Sequence, residues 1–128
     1  EKGRWVDENT FHISGTGNFN GKFYGKVDKT KSDFQNRKQQ AMEAAVLHAQ
    51  YKTLEDFKGK RIIGASSRPV YGIVLIKQKK EVYKFIRAGK ILKSRCNKEY
   101  KIRCWVFFEV KGPDLKKKVQ KAFSALYY

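Results

Sequence analysis

The sequence predicts an α+β domain, in which an antiparallel sheet of about four strands carries one long helix packed on a face and a short C-terminal helix. Three patterns support this fold class. Residues 33–57 have an apolar stripe at helical spacing, and residues 115–126 form a second helical stripe. In residues 100–110 an apolar set at even positions alternates with a set that combines charged residues with Trp105 and Phe107. The chain has 128 residues without an internal repeat or linker, so we expect residues 1–128 to form a single α+β domain.

The first predicted strand covers residues 11–19, FHISGTGNF, whose apolar residues and Gly15 fall on one side. The ten residues before it are interpreted as a lead-in that Trp5 anchors to the domain. The Asn-Gly dipeptide after the strand predicts a turn. Residues 23–27 then form either a second short strand or a loop.

The long helix has a start signal, an apolar stripe and a stop signal. Ser32 and Gln35 have the spacing of a capping box, which predicts that the helix begins between them. Its stripe contains small residues that let a helix lie close to a sheet: Ala41, Ala45 and Ala49. The sequence Lys-Gly-Lys at residues 58–60 predicts the end of the helix.

Strands are predicted for most of the chain that follows. Residues 61–64 and 70–76 are apolar and rich in β-branched side chains, which favours strands. Residues 77–86 suit either a strand or a short helix. Residues 88–96 and 100–110 are interpreted as the two long strands of a hairpin.

The two cysteines lie on either side of this hairpin turn. If the turn centres on Tyr100, Cys96 and Cys104 are cross-strand neighbours and can form a disulfide. If it centres between Lys98 and Glu99, they point to opposite faces. Two unpaired thiols are the favoured interpretation, and the number of cysteines alone does not define the compartment.

The chain is strongly basic, with 29 Lys and Arg against 12 Asp and Glu and a net charge of +17. Such a charge favours acidic partners but says nothing about the fold. The basic residues are densest between Lys77 and Arg103, where they are either a solvated sheet face or a binding face. The predicted binding residues combine cations with aromatic rings: Lys84, Arg87, Lys93, Arg95, Lys101, Arg103, Trp105 and Phe107.

No arrangement of residues predicts catalysis or cofactor binding. His12 and His48 have no second ligand at metal-binding spacing, so a structural or surface role is expected for both. The glycines of residues 15–17 lack the Lys and Ser or Thr of a phosphate loop. We therefore expect a protein that is not an enzyme and has no cofactor. No apolar run approaches the ~18 residues of a transmembrane helix.

Several motifs together resemble those of the small bacterial LPP-type surface lipoproteins and the related N-terminal domain of the flagellar assembly protein FlgT. They are Trp5, FHISGTG at 11–17, the Ala-rich helix at 37–49, GKRI at 59–62, GKI at 89–91 and YKIRCWV at 100–106. The resemblance spans residues 5–112. It implies a non-enzymatic structural protein of the periplasm or outer membrane, exported with its signal removed, which assembles with envelope or flagellar components.

Two functional hypotheses follow. In the first, an exported envelope or flagellum-associated scaffolding domain binds an acidic protein surface through its basic faces. In the alternative, a cytoplasmic module binds nucleic acid through the basic hairpin face with Trp105 and Phe107.

Overall fold

A computed structural model describes residues 2–23, 25–65 and 72–124, with side chains for 2–23, 25–58 and 79–123. Its elements in chain order are β1 (Arg4–Asp7), β2 (Thr10–Asn18), α1 (Asp33–Ala65), α2 (Gly72–Arg87), β3 (Lys90–Cys96), β4 (Arg103–Lys111) and α3 (Leu115–Ser124).

The four strands form one antiparallel sheet in the order β1-β2-β4-β3. Helix α1 lies across β2 and β4, and α2 and α3 pack together beside it on the same side of the sheet. The predicted fold class is therefore confirmed: an antiparallel four-stranded sheet, one long helix on a face and a short C-terminal helix.

The close approach of α1 to β2 depends on small residues on both elements. A Cβ atom added to Gly17 would lie 2.2 Å from the backbone nitrogen of Ala45, and one added to Gly15 would lie 2.4 Å from the Ala45 carbonyl oxygen. The alanines Ala41, Ala45 and Ala49 are fully buried. The predicted alanine stripe thus does bring the helix against the sheet, with strand glycines opposite it.

Local signals at the start of α1 are confirmed. The backbone N–H of Ser32 donates to Gln35 Oε1 at 3.0 Å, and the backbone N–H of Gln35 donates to Ser32 Oγ at 3.1 Å. These reciprocal bonds form a capping box, and the helix begins at Asp33 between them.

The strands predicted for residues 61–64 and 70–76 are wrong where the structure describes them, whereas the two hairpin strands are present as β3 and β4. Helix α1 continues through residues 58–60 to Ala65, and residues 72–76 begin α2, while residues 70 and 71 lie outside the described residues. The ambiguous segment 77–86 is helical as well. Strand propensity and a single glycine are weak signals that tertiary packing overrides. In α2 the deciding contact is the burial of Val82 and Ile86, one helical turn apart, in the core.

The N-terminal residues form a strand, β1, where only a lead-in was predicted. Trp5 does anchor this segment, since its ring stacks on Phe57 of α1 at 5.3 Å and meets the edge of Phe11 at 5.1 Å. Of the alternatives for residues 23–27, the described ones form a loop. The last strand begins at Arg103, three residues later than predicted.

Candidate interaction face on the uncovered side of the sheet

Strand β4 separates two kinds of side chain by its pleat. Its inner side chains are buried beneath the helices: Cys104, Val106, Phe108 and Val110. The opposite side of the sheet, which we name the open face, is covered by none of the described helices. The strand registers place these residues on the open face: Arg4, His12, Thr16, Asn18, Lys93, Arg95, Arg103, Trp105, Phe107 and Glu109.

Two aromatic rings lie next to each other on the open face. Trp105 and Phe107 stack nearly parallel, with ring centroids 6.3 Å apart and planes inclined by 11°. Both residues are partly exposed. Arg95 stands opposite Trp105 in the β3–β4 register, and its guanidinium carbon lies 5.3 Å from the Trp105 ring centroid. This cation–π contact holds a positive charge beside an exposed apolar surface.

Further cations flank the rings. Arg103 Nε donates a hydrogen bond to Asn18 Oδ1 at 3.1 Å, which fixes the guanidinium beside Trp105 at the β2 side. Lys93 stands opposite Phe107 on β3. One end of the open face therefore presents three cations around two stacked rings.

An ion pair occupies the other end of the open face. His12 Nε2 lies 2.9 Å from Glu109 Oε2, and Lys90 Nζ lies 3.8 Å from Glu109 Oε1. The hydrogen bond from His12, with a smaller contribution from Lys90, lowers the pKa of Glu109 below its usual range, although burial opposes this. His12 also meets the edge of the Phe107 ring at 5.1 Å.

The pairing of His12 with Glu109 was not predicted, because the two residues are 97 positions apart and meet only through the β2–β4 register. The available signal was that both occupy polar positions of alternating strands. His48, the other histidine, accepts a hydrogen bond at Nδ1 from the backbone N–H of Thr16 at 3.0 Å. His48 is exposed on α1 and binds the backbone of β2, in agreement with the predicted structural or surface role.

The eight predicted binding residues divide into three groups. Five of them meet on the open face: Lys93, Arg95, Arg103, Trp105 and Phe107. Lys101 lies in the loop before β4, at the edge of this face near Arg103. Lys84 and Arg87 belong to α2 in the helical layer, away from the open face. They were expected to adjoin it because they lie just upstream of the hairpin in the sequence.

The two cysteines form a disulfide, so the favoured interpretation of unpaired thiols is wrong. Cys96 and Cys104 are cross-strand partners with Cα atoms 4.1 Å apart. The turn centred on Tyr100 is the one observed. Arg37 of α1 helps to hold it, because the guanidinium donates to the Tyr100 carbonyl and lies 4.6 Å from the Tyr100 ring centroid.

The described residues contain no group of three or more His, Cys, Asp or Glu side chains placed to hold a metal ion. None of the described helices combines the length and apolarity needed to cross a membrane. Comparison of the chain with protein-family models, with curated proteins and with solved structures finds no match.

Proposed function

We propose that this protein is a non-enzymatic assembly domain of the bacterial cell envelope or flagellum, which binds an acidic protein surface through its open face. The observation that carries the proposal is the placement of Lys93, Arg95 and Arg103 around the stacked rings of Trp105 and Phe107. These groups lie on a sheet face that no described helix covers.

The chemistry of the open face suits a protein interface. Tryptophan, other aromatic residues and arginine are enriched among the side chains that contribute most to protein–protein affinity. Arg95 and Arg103 are already oriented, by the Trp105 ring and by Asn18, so little side-chain entropy is lost when a partner binds. The surrounding positive charge would accelerate encounter with an acidic partner and fix its orientation.

The disulfide supports a location outside the reducing cytoplasm. Disulfides persist in exported and periplasmic proteins and are rare in cytosolic ones. The Cys96–Cys104 bridge joins β3 to β4 one register position from the Arg95–Trp105 pair, on the covered side of the sheet. It therefore stabilises the edge of the proposed binding face in the compartment where the partner would be met.

Binding to a simple acidic polypeptide tests the proposal. We expect poly-L-glutamate to bind, and Arg95→Glu to weaken binding at least about tenfold. The matched control is Lys117→Glu, an equal charge reversal at an exposed position on α3, for which we expect a change within about twofold. Equal losses for the two variants would show that only net charge matters, and the open face would not be the site.

The compartment is tested in the organism that encodes the chain. Fractionation should place the protein in the envelope, and alkylation without reductant should leave both cysteines unmodified. Recovery from the cytosol with free thiols would contradict the proposed location.

A second candidate function is supported by the same rings. The sheet has four antiparallel strands, helices on one side, and stacked aromatic rings with cations on the other. Bases of single-stranded nucleic acid stack on sheet surfaces of this kind. Under this alternative, a single-stranded oligonucleotide should bind more tightly than poly-L-glutamate at equal salt. Trp105→Ala should then remove about 1–3 kcal/mol of that affinity.

A further inference from the structure

Strand β3 is the most exposed part of the sheet. It forms one edge, and every residue from Lys90 to Arg95 is exposed. The helices pack over β2 and β4, so even the inner-facing Ile91 remains 40% exposed, as does Leu92. The strand is held to the rest of the sheet by its ladder with β4 and by the disulfide at Cys96.

The hydrogen-bond pattern between β3 and β4 identifies the backbone groups of β3 that point away from the sheet. The 4.1 Å between the Cα atoms of Cys96 and Cys104 is typical of a pair that does not exchange backbone hydrogen bonds. The neighbouring bond from the Asn97 N–H to the Arg103 carbonyl agrees with this assignment. The alternation then directs the N–H and C=O of Ser94 and Cys96 away from β4. Within the part of the chain that the structure describes, these outward groups have no hydrogen-bond partner.

The charges beside this edge select the strand that can pair with it. Lys93 and Arg95 lie on the open face, two residues apart. Antiparallel pairing of β3 with β3 of a second copy would oppose like charges, which is destabilising. A strand with Asp or Glu at alternate positions would instead place a carboxylate beside each cation. Lysines and the irregularity between Ile91 and Lys93 further protect the edge against indiscriminate pairing.

We propose that β3 accepts an extended, acidic segment of the partner protein as a fifth strand of the sheet. The outward N–H and C=O groups of Ser94 and Cys96 would bond to the segment's backbone, and this supplies affinity. Acidic side chains at alternate positions would meet Lys93 and Arg95, and the small or apolar residues between them would lie on the Ile91 side. This inference rests on the proposed function, since it states how an acidic protein partner binds.

The experiment measures the affinity of two peptides for the wild-type protein and for two variants at Ser94. One peptide alternates Glu and Val, and the other has the same composition with its Glu residues in one block. Ser94→Pro removes only an outward N–H, so the β4 ladder is retained, and proline is tolerated at such edge positions. Ser94→Ala is the matched control that keeps the N–H.

We expect the alternating peptide to bind at least about tenfold more tightly than the block peptide. Ser94→Pro should remove that preference, whereas Ser94→Ala should preserve affinity within about twofold. Equal binding of the two peptides, or full affinity in Ser94→Pro, would overturn strand addition. Thermal unfolding and an intact disulfide establish that Ser94→Pro is folded.

A measurement on the unmodified protein covers the case in which Ser94→Pro fails to fold. Hydrogen exchange at the amides of Ser94 and Cys96 should slow when the alternating peptide binds, and unchanged exchange at saturation would overturn the inference. The two proposals fail separately. If Arg95→Glu weakens binding and Ser94→Pro does not, the open face is still the binding site, but strand addition to β3 is rejected. Failure of both peptides and of poly-L-glutamate to bind rejects both proposals.

Discussion

The two faces of β4 place similar side chains in opposite surroundings. Phe108 is 1% exposed beneath the helical layer, whereas Phe107, its neighbour in sequence, is partly exposed on the open face. On the inner side, packing dictates residue size to within a methyl group, because protein interiors are close-packed. On the open face the side chains are only partly buried, so the charged residues Arg103 and Glu109 can flank the two rings at little cost to folding.

This difference indicates that residues of the open face can be selected for binding, because folding constrains them less. Substitutions on the covered face should change the free energy of unfolding strongly. Substitutions on the open face should change it weakly and act on binding instead. Two pairs of neighbouring residues test that separation directly, Gly17 with Thr16 and Phe108 with Phe107, since each pair has one residue on either face.

The largest effect is expected for Gly17→Val. A Cβ at this position would lie 2.2 Å from the Ala45 nitrogen and 2.3 Å from the Ala41 carbonyl oxygen, so α1 as a whole would have to move. We expect destabilisation by about 3 kcal/mol or more, measured by urea unfolding followed by circular dichroism. Thr16→Val, at an exposed position of the same strand, should change stability by less than about 0.5 kcal/mol. Similar urea midpoints for the two variants would show that the two sides of β2 do not differ in their tolerance of a larger side chain.

The neighbouring phenylalanines give the sharpest matched pair. Phe108→Ala should cost about 3–5 kcal/mol, because it removes a fully buried ring and leaves a cavity between the sheet and the helices. Phe107→Ala removes an equal number of atoms but only a partly exposed contact with Trp105 and His12, so about 1 kcal/mol is expected. Chemical denaturation of both variants measures the difference, and equal costs would mean that the open face is also a folding core.

The smallest effect is expected for Glu109→Gln, which replaces the carboxylate that hydrogen-bonds to His12 and pairs with Lys90. The pKa of Glu109 is lowered in the folded protein, so the unfolded chain binds more protons as the carboxylate titrates. Its stabilisation is therefore complete at neutral pH and is lost as the pH falls below 4.5, the ordinary value, through the folded pKa. We expect the variant to be less stable at pH 7 by under about 1 kcal/mol.

A pH series of urea midpoints for wild type and Glu109→Gln checks this sign. The two curves should converge as the pH falls below 4.5. A stability difference that grows toward acid pH would show that the His12 hydrogen bond does not stabilise the carboxylate.

Local signals explain what could be predicted of the fold. The capping box of Ser32 and Gln35 and the alanine stripe act within a few residues of one another, and both are present as expected. The sequence of residues 72–76 predicts a strand, because β-branched side chains favour strands, yet these residues are helical. The four residues of β1 were too few to show an alternation of their own.

In the candidate site, too, local patterns were predictable and contacts between distant segments were not. Alternation along the hairpin predicted that Arg95, Arg103, Trp105 and Phe107 share a face, because the period of a strand is two. The disulfide and the His12–Glu109 pair depend on which residue stands opposite which, and a shift of one residue would abolish both.

The sequence by itself determined the fold class, the strong positive charge and the placement of alternate β4 residues on two sides of the sheet, because these follow from composition and periodicity. Only the tertiary structure decided that the open face is free of described helices, that Cys96 meets Cys104, and that Lys84 lies in the helical layer. The physical reason is that register and layer order are set by contacts between distant segments, and no single segment contains that information.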